Sequence, residues 1–154
     1  MRGAARLRRL GELHQLASAR TAAEQRELDG LLSRGETYDA DGHSADHRAF
    51  KDAHNRIFAS LAAFAAAAST DDASCFFLDG PDGATTAALR KAGFGTDQLH
   101  TVNLFESTCA ALRRPPHALV HVHPGCAELE LARPPLSSTP FAAFYLDGCS
   151  GSAA

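Results

Sequence analysis

The chain has 154 residues, 45% of them hydrophobic and 21% charged, with a formal net charge of −3. That length and apolar content fit one domain with its own core and exclude a disordered polar tail. The slight acid excess argues against a chain built to coat nucleic acid, and no apolar run reaches the ~20 residues of a membrane span. The four cysteines, Cys75, Cys109, Cys126 and Cys149, contain no C-x-x-C pair. Buried, reduced thiols in a cytoplasmic protein are therefore preferred to a disulfide or zinc framework.

The first segment carries Arg2, Arg6, Arg8, Arg9 and Arg20 against one early acid, Glu12. Organellar import leaders share that leaning, and so do ordinary basic first helices. Leu7, Leu10, Leu13 and Ala17 recur at three- and four-residue steps, which predicts an amphipathic helix over 4–18. Thr21-Ala22-Ala23-Glu24 is a capping box that opens a second helix, with Leu28, Leu31 and Leu32 inward and a stop at Gly35. Residues 35–43 form a polar Gly/Asp linker. Residues 1–43 thus read as N-terminal helices and linker, and 44–154 as the main domain with a leading helix.

That leading helix is capped by Ser44 and runs to about Ala68. Phe50, Ile57, Leu61 and Phe64 form its apolar stripe, with Phe58 alongside, the face expected to pack inward. His47, Lys51 and His54 fall on a different face; His47 and His54 stand about 10 Å apart along the axis, too far to share a metal ion. They read as surface or partner-facing residues.

From Ala73 the hydrophobic period changes. Strands are predicted at 74–78, 99–103, 118–123 and 141–146, with helices at 85–92, closed by Gly93, and at 105–114, closed by Pro115-Pro116. Short apolar strands alternating with helices predict an α/β fold with a small parallel Rossmann-like sheet of about four strands. Residues 124–140 contain Pro124, Pro134, Pro135 and Pro140, so that connection is expected to be a loop or a broken helix. A parallel sheet that ends on a strand needs cover. Either the N-terminal helices supply it or the chain is truncated at its C-terminus relative to a longer protein.

Ligands of open parallel sheets bind outside the carboxyl ends of the strands. Those ends are Asp79-Gly80, Asn103, His123-Pro124-Gly125 and Asp147-Gly148. Gly83 stands where backbone would approach a ligand, and the helix after it favours negative charge at its start. The plainer reading is that Asp79 and Asp147 cap turns while Gly80 and Gly148 supply the dihedral angles.

Residues 73–152 resemble the first half of the Rossmann-like class I methyltransferases that use S-adenosylmethionine. Phe77-Leu78-Asp79 followed by Gly83 is similar to the family's first motif, and Asn103 occupies the place of its ribose-binding acid. Gly125-Cys126-Ala127 sits where the family often has Gly-Asp-Ala, and Pro140-Phe141 through Tyr145-Leu146 to Asp147 is similar to its fourth strand. The resemblance implies methyl transfer from S-adenosylmethionine to an unknown acceptor. Asp79, Gly80 and Gly83 would shape the methionine end, Asn103 would hold the ribose, Cys126 would lie beside the adenine, and Asp147 would orient the acceptor.

Pro81, Asn103 and Cys126 depart from the family pattern, and these departures favour a second function class, a non-catalytic interaction module that keeps the fold. On a strand, His117, His121 and His123 would face one side, and a third class rests on His121, His123 and Glu128, whose spacing is similar to the H-x-H-x(4)-E metal motif of cupins and would suit iron, manganese or zinc. Cys149, just past a strand end, reads either as a nucleophile or as an inert turn residue.

Overall fold

The short apolar runs from Ser74 onward assemble, in the computed structural model, into a four-stranded sheet whose pairings are all parallel. The structure describes residues 9–13, 16, 19–33, 45–69 and 73–146. Leu7, Ala17, Gly35, Ser44, Asp147, Gly148 and Cys149 lie outside them. Residues 9–13 are helical. They are followed by α1 (Ala22–Ser33), α2 (Ala45–Ala67), β1 (Ser74–Leu78), α3 (Ala84–Lys91), β2 (Leu99–Asn103) and α4 (Glu106–Leu112). Next come β3 (His121–Pro124), α5 (Ala127–Leu131), a 3-10 turn at Leu136–Ser138 and β4 (Phe141–Tyr145).

The strand order is β3-β2-β1-β4. The chain steps outward from β1 to β3, then crosses back to pair β4 with the other side of β1, a Rossmann-like arrangement. The strand order reverses between β1 and β4, and open parallel sheets bind ligands outside the carboxyl ends of strands at such a point.

Two elements differ from the sequence reading by more than one residue at an end. The third strand occupies 121–124 rather than 118–123. Ala118 has a left-handed φ of 50° and the Leu119 amide donates to the Leu112 carbonyl at 3.0 Å, which ties 118–120 to the end of α4. The fourth helix shortens to Glu106–Leu112; the proline-rich connection holds one short helix, α5, in line with the broken helix expected there.

One sheet face presents Cys75, Phe77, Leu99 and Val122 to Ala59 and Ala62 of α2, Leu89 of α3, and Cys109 and Leu112 of α4. The other face presents Phe76 and Val102 to Leu136, with Ala127, Leu131 and Phe141 around them. Alternation along each strand divides the two sets. A third cluster joins Leu10, Leu13 and Leu28 to Phe105, so the N-terminal helices close over the turn that follows β2. The capping box forms as expected: the Thr21 amide donates to Glu24 Oε2 at 2.8 Å, and the Glu24 amide donates to Thr21 Oγ1 at 3.3 Å.

The orientation of α2 overturns the expectation for its stripe. Phe50, Ile57, Leu61 and Phe64 are 62%, 59%, 63% and 76% exposed. The inward face is instead Asn55, Ala59 and Ala62, with Phe58, Ala63 and Ala66 beside them, and Phe58 stacks on Tyr145 of β4 at 4.5 Å. Small side chains let α2 approach α3 and the sheet closely; the bulky stripe lies on the opposite side of the helix. His54 belongs to that exposed side, its ring edge-on to Phe50 at 4.0 Å, rather than to a separate face.

Candidate functional site at the strand ends

The apolar run Cys75-Phe76-Phe77 drives β1 into the middle of the sheet and delivers Asp79 to its carboxyl end, where the side chain is 7% exposed. Its Oδ1 accepts from the Gly80 amide at 3.1 Å and the Thr85 amide at 3.2 Å. Its Oδ2 accepts from the Thr86 amide at 2.8 Å and the Thr86 hydroxyl at 2.6 Å. The residue at the N-cap of α3 is Gly83, which has no side chain to offer the orphan amides of the first turn. Asp79 does that work from the end of the preceding strand, and its charge complements the helix dipole. Burial pushes its carboxyl above the usual range; the hydrogen bonds from Thr86 and Thr85 oppose that, and nearby Asp82 adds to it. Thr85 extends the lock to α2 by donating its hydroxyl to buried Asn55 Oδ1 at 3.3 Å.

Gly83 adopts a φ of +60°, and the His117 imidazole fills the space where a Cβ would stand. The close approach that this glycine permits is therefore to a side chain of the α4–β3 turn. Gly80 is crowded from one side by Asp82, whose Oδ1 would lie 3.1 Å from a Cβ there. Asp82 is exposed, so solvent reaches its carboxylate.

Asn103 ties the strand ends together. Its Nδ2 donates to the Asp79 carbonyl at 3.1 Å, and its Oδ1 accepts from the Phe105 amide at 2.8 Å. The Gly125 amide donates to the Asn103 carbonyl at 2.9 Å, which brings the end of β3 to the same point. Cys126 begins α5 and is partly exposed. The structure thus gathers Asp79, Gly80, Gly83, Asn103 and Cys126 along one edge. Asp147 and Cys149 fall outside the described residues.

The histidines do not converge on a metal. His100 and His121 are register partners across β2 and β3 and stack at 4.2 Å with 4° between the rings. His123 continues the ladder at 5.9 Å and 7° from His100, and Phe141 meets His100 edge-on at 5.2 Å. Parallel planes aim ring nitrogens side by side rather than at a shared point. Among the described residues no group of three His, Cys, Asp or Glu side chains could hold a metal ion, and Glu128 is exposed in the first turn of α5. Burial, followed by neighbouring His121 and His123, pushes His100 down to about 4. Burial also lowers His123, against the pull of Glu130. His100 Nδ1 and His123 Nε2 are buried without a hydrogen-bond partner.

Comparison of the chain with models of known families, with characterised proteins and with solved structures finds no match. Among the described residues no helix is long and apolar enough to cross a membrane. His117, expected on one strand face with His121 and His123, lies instead in the turn before β3 and against Gly83, and the role of Asp82 in the edge escapes sequence reasoning because a turn residue announces no partner. His100 carried a signal: it sits at the second position of a strand whose parallel neighbour begins with His121.

Proposed function

We propose that the chain is a methyltransferase-like domain that binds S-adenosylmethionine over the carboxyl ends of β1 and β2, for methyl transfer to an acceptor. The observation that carries this reading is the β3-β2-β1-β4 order, with Asp79 at the end of β1, beside which the strand order reverses. Asp79 serves as a positioning residue: it pins the Gly80–Gly83 turn to α3. Asn103 keeps one N–H and one lone pair beyond its two internal bonds, enough for one ribose hydroxyl. Asp82 offers an exposed carboxylate for the cofactor's ammonium group, and Cys126 offers apolar surface beside an adenine ring. Asp147 is the candidate for orienting the acceptor. When bound, the cofactor supplies an electrophilic methyl group, and the protein supplies position.

Titration calorimetry with S-adenosylhomocysteine tests this. Binding in the micromolar range, weakened about tenfold by Asp82→Ala, supports it. Absence of heat from well-folded protein sinks it.

A second reading, a non-catalytic interaction module, has its own observation. The Asp79 carboxylate is consumed inside the protein, and His117 occupies the space beside Gly83. It forecasts a stable fold with no cofactor binding.

A further inference from the structure

We propose that the outer face of α2 is a dimer interface, on which the stripe from Phe50 to Phe64 packs against the same stripe of a second copy of this chain. This goes beyond the cofactor reading and does not depend on it.

The spacing identifies the shape of the occupant. Phe50, Ile57 and Phe64 fall at one heptad position, and His54, Leu61 and Ala68 at the other. Alternating steps of four and three residues make a seam of period 3.5, which fits another helix rather than a sheet or a small molecule. The helix has 23 residues, so the seam is about 34 Å long at most. Its flanks are Ala53, Ser60 and Ala67 on one side, small enough for two axes to approach to about 8–10 Å. Exposed Arg48, Asp52 and Arg56 fall at other heptad positions, off the seam.

The inner face of α2 is already committed to the sheet and α3, so the chain's own core cannot take up the stripe. With roughly 150–250 Å² for a whole aromatic side chain, the four exposed side chains present roughly 500 Å² of apolar surface. That is at the upper end of what a monomer shows. Two copies together would bury roughly 1,000 Å², the lower bound for a specific interface.

A second copy is the occupant the observations favour. One helical face repeated about a twofold axis is complementary to itself. The partner then needs a long helix with a matching bare seam, and among the described residues α2 itself is that helix. A net charge of −3 over 154 residues offers little repulsion between copies.

Sedimentation velocity on the full chain, from about 1 to about 100 µM, tests this. Leu61→Glu and Phe64→Glu break the seam. Val120→Glu, at a residue 63% exposed outside the helix, is the control. The expected result is a dimer with a micromolar dissociation constant, weakened about 100-fold by either seam variant and unchanged by the control. If a glutamate unfolds the chain, Ile57→Gln with Leu61→Gln replaces it. A wild-type chain that stays monomeric at about 100 µM overturns the proposal. So does a dimer that survives the seam variants, since either result puts a different occupant on the stripe.

Discussion

Asp79→Ala removes the acceptor for four donors at once: the amides of Gly80, Thr85 and Thr86 and the Thr86 hydroxyl. Hydrogen bonds to a charged group contribute about 1.5–3 kcal/mol each, but their sum is not the expected loss, because burying the carboxylate costs a large part of it. The raised pKa reports that cost. What the variant leaves behind is more telling. Losing a helix cap costs about 1–2 kcal/mol. Orphaning the Thr86 amide and hydroxyl, both in a residue 1% exposed, adds about 1–3 kcal/mol. The expected destabilisation is about 3 kcal/mol, a large share of the ~5–15 kcal/mol of an ordinary domain. Urea unfolding followed by circular dichroism measures it, with the midpoint falling and the slope unchanged. A loss below about 1 kcal/mol would show that solvent, not the carboxylate, serves the first turn of α3, and would return Asp79 to the candidates for direct ligand contact.

The histidine ladder sets a pH dependence. The folded pKa of His100 is depressed to about 4, so the stability that the neutral ring contributes is complete above the unfolded value of about 6.5 and is lost as pH falls toward 4. A shift of that size is worth about 3 kcal/mol, and screening at the half-buried His121 and His123 reduces it to about 2 kcal/mol. His100→Phe keeps the stack and removes that share, so the wild-type-minus-variant difference in unfolding free energy should fall across that window; a flat difference refutes the assignment. Gly83→Ala, at φ +60° and against the His117 ring, should destabilise by about 1–2 kcal/mol, with part recovered in the His117→Ala background. Full additivity in that double-mutant cycle would show that the ring moves aside freely. Burial pushes the Cys75 thiol up to about 12 and the Cys109 thiol up to about 11. Maleimide labelling at pH 7.5 with peptide mapping should therefore modify Cys126 in the native protein, and Cys75 and Cys109 only after unfolding.

Much of the fold was legible because local signals agreed with the tertiary outcome. Thr21 and Glu24 formed their capping box because both partners lie within one turn. The runs at 74–78 and 99–103 became central strands with the expected bounds, since a short continuous apolar run is buried on both faces of a parallel sheet. The third strand slipped because Leu119 and Val120 carry the same apolar signal as a strand. The Leu119 amide is instead bound to the end of α4, an interaction invisible to composition.

The candidate site was legible only as a set of positions. Asp79, Gly83 and Asn103 do meet at one edge, as their places at strand ends require. Whether a carboxylate there faces a ligand or a helix terminus depends on which donors the next helix leaves unpaired. Asp79 turned inward because Gly83 caps nothing, while Asp82 in the same turn stays exposed.

The sequence by itself determined the parallel α/β architecture, the capped helix near the N-terminus and the row of polar strand ends. Periodicity and turn chemistry act over a few residues and survive any tertiary context that buries them. Only the tertiary structure decided which face of α2 is inside. That helix carries two stripes, one of alanines and one of bulky apolar side chains, and hydrophobicity alone favours the bulky one. The sheet, α3 and Tyr145 of β4 leave room for a closely packed helix, so the alanines went in and Phe50, Ile57, Leu61 and Phe64 stayed out.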